Sequence, residues 1–445
     1  MGMVAKVDTA LQGLFGDLAE TTARECHLIK RNRKFSAVSL TKTFILGFLQ
    51  CPKSSDEKLA QFALECGVDV TPQAIEQRYT PALADYLQKL FQKATQLIVG
   101  SSKALAAVLE RFPSVTLLDS STIALPDEAQ DRYRGCGAKN GGGQAALKLQ
   151  TEWDLRHGAL TQMEIEQGRS CDQSSSRQKA RRGPNSLRIA DLGYFDLAVF
   201  AAMQVAAEYF LSRLQFGTHV FLHGKTAAVD LLQWLVQQSR SDGFVDQEIV
   251  LGQGQRLGCR LIAWRLPQEQ ADRRRAKLRQ EMRSRKGREP SAARLAWCDW
   301  SILVTNLPQD KLTAKEAVVL YRARWQIELL FKRWKSQGLI ADLNGSTALR
   351  QMIRVWARLL AALVQHWLVV SSVWGNLGAS LSKATEATRA FAGRLAAALG
   401  WENALEPILA LMRIVLTKTC RRNKRSRPGT IELLNNPDLL DFGLT

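Results

Sequence analysis

The residues best suited to chemistry lie in one segment, Tyr321-Arg322-Ala323-Arg324-Trp325-Gln326-Ile327-Glu328, which continues to Lys335. On a helix with about 100° per residue, one stripe about 60° wide collects four of them: Tyr321, Arg324, Glu328 and Lys335. The opposite face is apolar and consists of Val319, Ala323, Ile327, Leu330 and Trp334. Arg and Lys bind phosphate oxygens, and a Tyr hydroxyl can donate a hydrogen bond to one. The stripe favours binding of a phosphate next to the Glu328 carboxylate. An ordinary solvated amphipathic helix has the same spacing.

Two aspartates upstream follow short apolar runs that predict buried strands. Asp119 follows Val115-Thr116-Leu117-Leu118, and Asp191 follows Leu187-Arg188-Ile189-Ala190. Because burial of an unpartnered carboxylate is costly, acids at strand ends need a cation or a metal. Together with Glu328 they would make an oxygen-only site suited to Mg²⁺ or Mn²⁺. Such a site can hold two ions about 3.5–4 Å apart, one for the nucleophile and one for the leaving oxygen.

Four other aspartates near this pair have ordinary structural explanations. They fall in predicted loops, at a hairpin or at a helix N-cap: Asp127, Asp131, Asp154 and Asp196. The Gly-rich loop Gly141-Gly142-Gly143 lacks the Lys-Ser/Thr of a phosphate-binding P-loop, which disfavours a nucleotide hydrolase. The candidate catalytic and metal-binding residues are therefore the two strand-end aspartates and Glu328.

The spacing Tyr-x-x-Arg-x-x-x-Glu-x-x-x-x-x-x-Lys, which the four stripe residues meet without a gap, resembles the signature of DDE transposases of the IS-four family. Bacterial insertion sequences carry these enzymes. Asp119, in Leu118-Asp119-Ser120, resembles the family's first acid, and Asp191, in Ala190-Asp191-Leu192-Gly193-Tyr194-Phe195, resembles its second. One departure is the run Ser120-Ser121-Thr122, where relatives commonly have Ser-Thr directly after the acid.

The resemblance implies a DNA transposase that cleaves the ends of an insertion sequence and joins them to target DNA. The reaction would be cut-and-paste, by two-metal phosphodiester hydrolysis and transesterification, with two Mg²⁺ (or Mn²⁺) ions held by the three acids. DNA-phosphate binding would fall to Tyr321, Arg324 and Lys335, and Trp325 is a candidate for base stacking. The implied partners are double-stranded DNA, as terminal inverted repeats and as target, and a second copy of the chain in a homodimeric active complex.

The predicted fold class is α/β: a ribonuclease-H-like mixed sheet with a β-rich insertion, flanked by helical N- and C-terminal domains. The predicted domains are a helical DNA-binding domain at 1–105, a catalytic domain at 106–345 with its insertion at about 217–296, and a helical C-terminal region at 346–445 for dimerisation or DNA contact. Within the first domain, a helix start at Ser54–Glu57, a break at Gly67 and a second start at Thr71-Pro72 outline a helix-turn-helix. Two short helices with this spacing also occur in any helical domain.

Other elements follow from apolar patterning. Residues 145–155 and 159–166 alternate and meet at His157-Gly158, which predicts a β-hairpin. Long helices are predicted over residues 196–214 and 313–337. Further strands are predicted at 219–222, 248–251, 259–264 and 300–305, and the charged stretch 273–288 predicts an exposed loop or helix.

Composition points to a polyanion as partner. The chain has 61 Lys and Arg against 42 Asp and Glu, a formal charge of +19, and cationic clusters at 30–34 and 421–427. A protein this basic usually meets nucleic acid. Eight Cys without a C-x-x-C pair argue against a zinc ribbon or a disulfide framework, and the five His show no metal-binding spacing.

The expected location is cytoplasmic, nucleoid-associated when bound to DNA. Residues 1–20 mix charges into their apolar positions, unlike a signal peptide. The apolar run 355–373 contains Arg358, Gln365 and His366, which favours a buried or amphipathic helix over a membrane span. The same run is also a candidate pairing surface between protomers.

Two alternative functions remain at this stage. A ribonuclease-H-like nuclease that cuts DNA without joining it would use the same residues, so only strand-transfer products separate it from a transposase. A DNA-binding regulator without catalysis would have lost an acid or a DNA-binding end, and the sequence keeps both.

Overall fold

The computed structural model describes residues 2–29, 34–137, 143–239, 243–340, 347–376, 378–401, 404–423 and 427–440. Some features of the sequence lie outside the described residues. They are the cationic Lys30, Arg31 and Arg33, the glycines Gly141 and Gly142, and Lys424, Arg425 and Ser426 of the second basic run.

The elements within the described ranges are numbered in chain order. The strands β1 to β9 lie at Val115–Ala124, Ala146–Asp154, Leu160–Gln167, Leu187–Ala190, Tyr209–Arg213, Val220–Leu222, Phe244–Leu251, Leu257–Arg265 and Trp300–Thr305. The helices α1 to α19 lie at Met3–Phe15, Asp17–Glu25, Ala37–Gln50, Asp56–Glu65, Pro72–Glu76, Pro81–Ala94, Ala107–Glu110, Ser176–Lys179, Leu197–Val205, Leu231–Gln238, Gln268–Lys286, Ala292–Ala296, Ala314–Ala323, Trp325–Ser336, Ala348–Val373, Leu381–Ala387, Ala392–Ala398, Leu405–Thr419 and Thr430–Asn435.

The chain divides into two compact units. The first unit comprises Met1–Leu105, Asp119–Ser170 and Gln326–Arg425, and the second comprises Ala106–Leu118, Cys171–Trp325 and Ser426–Thr445. The first unit is largely helical, but it contains the antiparallel hairpin of β2 and β3, in the order β3-β2-β1 with the end of β1. The hairpin prediction is confirmed, and Gly158 has the positive φ (+73°) that its turn needs.

A mixed sheet forms the centre of the second unit, in the order β1-β4-β5-β9-β8-β7-β6. β4 pairs in parallel with the first residues of β1 on one side and with β5 on the other. The pairings from β5 through β9, β8 and β7 to β6 are antiparallel. The predicted strands at 219–222, 248–251, 259–264 and 300–305 are confirmed as parts of β6 to β9. The β-rich insertion therefore extends the sheet beyond β9, and the mixed α/β fold agrees with the predicted ribonuclease-H-like class.

The prediction of one long helix over 196–214 is wrong in its second half. Asp196 does cap α9, since its carboxylate accepts hydrogen bonds from the backbone N–H groups of Ala198 (2.8 Å) and Val199 (3.3 Å). The helix ends at Val205, Ala207 has a positive φ of +56°, and β5 follows. Apolar composition alone does not separate a buried strand from a buried helix, and β5 owes its conformation to pairing with β4 and β9.

The first unit is organised around α15, which packs against α3, α6 and α18. Of the described helices, only α15 has the length and composition of a membrane span, but 94% of its most apolar window is buried inside the protein. Two of its buried polar side chains donate hydrogen bonds to nearby carbonyls: Gln365 to that of Thr385 (2.8 Å), and His366 to that of Gly158 (2.7 Å). A buried helix is thus confirmed over 355–373, and this burial removes the run as a pairing surface between protomers.

A buried ion-pair cluster ties α4 to α15 within the first unit. The Asp56 carboxylate accepts hydrogen bonds from Arg350 and from the Tyr79 hydroxyl (3.0 Å), and an Arg354 nitrogen lies 3.7 Å away. The side chains of Asp56 and both arginines are at most 17% exposed. Because several cations share one carboxylate, the cluster depends on Asp56.

We predict that Asp56→Ala lowers the free energy of unfolding by about 3 kcal/mol, since it removes the buried partner of two guanidinium groups. Urea denaturation followed by circular dichroism would measure the loss. The matched control is Glu76→Ala, because Glu76 also pairs with Arg350 (3.7 Å) but its side chain is 65% exposed. The control should cost less than about 1 kcal/mol. Equal losses in the two variants would contradict the special role of Asp56.

Candidate active site

Asp119 lies in the first unit, in the middle of β1. The prediction that the strand ends at this acid is wrong, because β1 continues to Ala124 with Ser121 and Ile123 buried on alternate positions. The polar run after Asp119 is thus half-buried strand. The Asp119 side chain is partly exposed, and one of its oxygens accepts a hydrogen bond from the backbone N–H of Ser120 (2.8 Å).

Asp191 lies in the second unit, directly after β4 as predicted. Its side chain is 47% exposed, and its carbonyl accepts a hydrogen bond from Tyr194 N–H (3.0 Å), which closes the short turn after the strand. Beneath it, Leu118, Ala190 and Tyr194 form a small buried cluster. In the parallel pairing of β1 with β4, Leu118 is the partner of Ala190. Asp119 is thus the residue after Leu118, and Asp191 is the residue after its strand partner Ala190.

The predicted helix over 313–337 is divided at Arg324 into α13 and α14. Thr313 caps α13 through a capping box with Glu316, as its sequence suggests. At the division, Arg324 N–H bonds to the Tyr321 carbonyl three residues back (3.1 Å), so one turn is tighter than an α-helix. The apolar face is confirmed as buried: Val319, Ala323, Ile327, Leu330 and Trp334.

Two signature residues of the second unit, Arg324 and Tyr321, lie near Asp191. An Arg324 nitrogen lies 4.0 Å from an Asp191 oxygen, and the Arg324 guanidinium lies 5.8 Å from the centre of the Tyr321 ring. The Tyr321 hydroxyl oxygen is shielded from solvent. Burial raises the pKa of Tyr321 to about 12; nearby Arg324 works against this rise, and Asp191 adds to it. At neutral pH this hydroxyl therefore keeps its proton and can donate a hydrogen bond.

Glu328 and Lys335 lie in the first unit, both on α14. Glu328 is partly exposed in the first turn of the helix, and Lys335, two turns later on the same side, is exposed. Trp325, at the start of α14 but within the second unit, has 51% of its surface exposed. An indole exposed to this extent is available for contact with a base.

Sequence interpretation missed Arg213, the last residue of β5 in the second unit. β5 is parallel to β4, with Leu211 opposite Ile189. Arg213 lies two residues after Leu211, as Asp191 lies two residues after Ile189, so both reach the same end of the sheet. Its charge lowers the pKa of Tyr321, and also that of Arg274, which burial and Arg213 together bring to about 10. No ion pair to Arg213 is found among the residues that the structure describes. The signal in the sequence was a cation at the end of an apolar run. It was missed because the predicted helix over 196–214 placed Arg213 inside a helix and not at the end of a strand.

Three of the four other aspartates near the candidate pair have structural roles. Asp154 ends β2 and pairs with His157 across the hairpin turn (2.7 Å). Asp127 accepts a hydrogen bond from the backbone N–H of Gln144 (2.9 Å), and Asp196 caps α9. Asp131 is exposed in a turn.

The donor atoms of the three candidate acids suit a divalent metal. The candidate acids offer carboxylate oxygens, the ligands that Mg²⁺ and Mn²⁺ prefer. Across the described ranges, no three His, Cys, Asp or Glu side chains are grouped closely enough to hold a metal ion. The cation that faces Asp191 in the structure is Arg324. The donor set thus fits a divalent ion, although the described residues form no three-ligand cluster.

Comparison with known proteins identifies the family of the chain. The family model described as "Transposase DDE domain" matches residues 110–364, more than half of the chain. The transposase for insertion sequence element IS231B of Bacillus thuringiensis subsp. berliner is 26% identical over 364 residues, covering 78% of this chain and 75% of the relative. The transposase for insertion sequence element IS1151 of Clostridium perfringens is 22% identical over 72% of this chain and 71% of its own length.

Another relative matches a shorter part of the chain at higher sequence identity. The putative transposase InsL for insertion sequence element IS186A of Escherichia coli (strain K12) is 40% identical over 104 residues, which cover 23% of this chain and 28% of the relative. The matched domain takes in all three candidate acids and all four residues of the Tyr-Arg-Glu-Lys signature. The chain therefore belongs to the DDE transposases, enzymes of an IS-four-like family.

Proposed function

We propose that this transposase excises an insertion sequence by cutting at its ends and joins those ends to target DNA, with Asp119, Asp191 and Glu328 as the catalytic acids. The observation that carries the proposal is the meeting of Arg324 and Tyr321 with Asp191. Two signature residues thus lie beside one candidate acid. The register pair Leu118 and Ala190, each followed by an aspartate, supports adding Asp119.

The family implies dependence on a divalent metal. We propose two Mg²⁺ or Mn²⁺ ions, with the three acids as their protein ligands. When bound, such ions activate the attacking water or 3′-hydroxyl and stabilise the leaving oxygen.

The remaining residues of the site would hold the DNA backbone. Arg324 and Arg213 offer guanidinium groups that can grip a phosphate with two hydrogen bonds, and Lys335 offers a point charge. Tyr321, whose hydroxyl keeps its proton at neutral pH, would donate a hydrogen bond to a phosphate oxygen. Trp325 would stack on a base displaced from the duplex. These contacts orient the scissile phosphate without reading its sequence.

The wider organisation of the chain is also proposed. Residues 1–105 would bind the inverted repeats, 106–345 would carry catalysis with the insertion at about 217–296, and 346–445 would serve dimerisation or DNA contact. In the first of these regions, α4 and α5 flank Gly67, whose φ is +76°, and Thr71 caps α5. This is the local outline of a helix-turn-helix, with a second helix of only five residues. We expect the protein in the bacterial cytoplasm, at the nucleoid when bound to DNA.

We predict that Ala at Asp119, Asp191 or Glu328 abolishes cleavage of an element-end duplex in Mg²⁺ and leaves binding to that duplex within about threefold. The reason is that each acid contributes to the metal site and not to DNA affinity. Asp131→Ala is the matched control, because Asp131 is an exposed acid close to Asp119 in sequence. It should cleave at the wild-type rate. Near-normal cleavage by Glu328→Ala would refute the assignment.

A separate prediction concerns the phosphate contacts. Arg324→Ala and Arg213→Ala should each weaken formation of the active complex about tenfold, by the same factor for every end sequence, because phosphate contacts carry no sequence information. Gel-shift titration with wild-type and altered inverted repeats would measure this factor. The lysine variants should recover part of the loss, since a charge remains without the bidentate grip. A change in sequence preference would contradict the proposal.

The active complex is proposed to be a homodimer that pairs two ends, each protomer cutting the end held by the other. We predict that a mixture of Glu328→Ala with a variant unable to bind ends (Lys30, Arg31 and Arg33 changed to Gln) recovers cleavage that neither has alone. Light scattering on the paired-end complex would give its mass. No recovery together with a monomeric complex would contradict the dimer. A nuclease, the alternative enzyme, would cleave in this assay but yield no strand-transfer product.

A further inference from the structure

A strongly basic helical arm lies in the second unit, in the insertion before the signature. It consists of α11 and the turn after it, residues 268–290, and is called the basic arm below. Its sequence holds nine Lys and Arg against four Asp and Glu, a net +5 of the chain's +19. Sequence patterning predicts only an exposed loop or helix here, and the proposed chemistry uses none of these residues.

The basic arm is anchored by few contacts. Ala271 and Met282 are buried on its inner side. Arg274 donates a hydrogen bond to the Trp300 carbonyl (3.2 Å), and Arg275 pairs with Asp299. The exposed side chains described on the arm are polar or charged apart from Ala276. The helix is thus held at its base, and its outer surface is cationic.

On the outer surface of the arm the ion pairs are exposed. Arg273 pairs with Glu269 and Arg283 with Glu289, but all four side chains are more than half exposed, and such surface pairs contribute little. Lys277 lies 4.0 Å from Glu281, the limit of an ion pair. Arg279, Arg285 and Arg288 are exposed and have no ion pair among the residues that the structure describes. These three charges are available to an external anion.

Three arginines of the arm lie along one side of the helix. Arg275, Arg279 and Arg283 follow one another at intervals of four, where like charges are neighbours. Arg275 pairs with Asp272 and Asp299, and Arg283 pairs with Glu289, so Arg279 is the member of this row without an ion pair among the described residues.

The chemistry of the exposed surface selects the class of partner. A membrane-surface helix needs an apolar face, and a protein interface needs aromatic or aliphatic anchors. The basic arm presents neither. Duplex DNA needs only cations spaced along its phosphates, and Arg is suited to them.

We propose that the basic arm binds the phosphate backbone of duplex DNA independently of sequence, through Arg279, Arg285 and Arg288. This inference rests on the proposed function only in that the protein handles duplex DNA. Contact with the element end and contact with target DNA share this chemistry, and the two are separated by the duplex used in the test.

The test measures binding by fluorescence anisotropy, without divalent metal, between about 50 and 200 mM salt. One duplex carries an element end and the other an unrelated sequence. The variant is Arg279→Gln/Arg285→Gln/Arg288→Gln, since Gln keeps the helix propensity. We expect binding to the unrelated duplex to weaken about tenfold or more, with a salt slope smaller by about 2 to 3, because each phosphate contact contributes about 0.9. An equal effect on the end duplex means that the arm also grips the element; an effect on the unrelated duplex alone assigns it to target DNA.

Two control variants keep the result interpretable. Arg279→Lys/Arg285→Lys/Arg288→Lys should retain the salt slope, because its charge is unchanged. Lys103→Gln/Lys179→Gln/Lys225→Gln removes three exposed cations elsewhere and should retain the slope as well. Circular dichroism would confirm that every variant is folded.

An unchanged slope in the Gln variant of the arm would overturn the inference alone, as would an equal loss in the distant control. Unchanged DNA binding with lost retention on immobilised polyglutamate would assign the arm to an acidic protein instead. A wild-type protein that binds neither duplex would overturn this inference and the proposed function together.

Discussion

The candidate site depends on the parallel pairing of β4 with β1 and β5 in the second unit. Strands that run the same way end at the same edge of a sheet, so residues that follow them in register come to one edge. Leu118 pairs with Ala190 and Ile189 with Leu211, and charged residues follow in each strand. Phe210 and Leu211 hold β5 in the core, and the register moves Arg213 to the edge beside Asp191.

Electrostatics at this edge favour an anionic substrate. Arg324 faces Asp191, and Arg213 acts on Tyr321 and on Arg274. Burial lowers the pKa of Arg274 only to about 10, so it stays charged at neutral pH. Arg324 is the guanidinium beside Asp191, and the charges of Arg213 and Arg274 add to it within the second unit. DNA phosphates can balance this positive excess. Arg274 belongs to the basic arm, whose other cations add to the positive charge of the second unit.

In the first unit the dominant constraint is the burial of α15. A helix this apolar must be covered, and α3, α6 and α18 cover it. Its polar residues are accommodated individually, as when burial lowers the pKa of His366 to about 4 so that the ring stays neutral against the Gly158 carbonyl. Arg350 and Arg354 are accommodated by pairing with the Asp56 carboxylate. Helices near the N-terminus are therefore part of the same core as α15.

The sequence by itself determined what depends on near neighbours: the capping box at Thr313, the N-cap at Asp196, the hairpin at Gly158, the apolar face of α14 and the signature that matches the family. Only the tertiary structure decided what depends on distant pairing. β5 is a strand because β4 and β9 flank it, β1 continues past Asp119 beside β2, and Arg213 reaches the edge by register. An apolar or polar run of a few residues fits several local conformations with similar energy. The partners across the sheet, remote in sequence, choose among them.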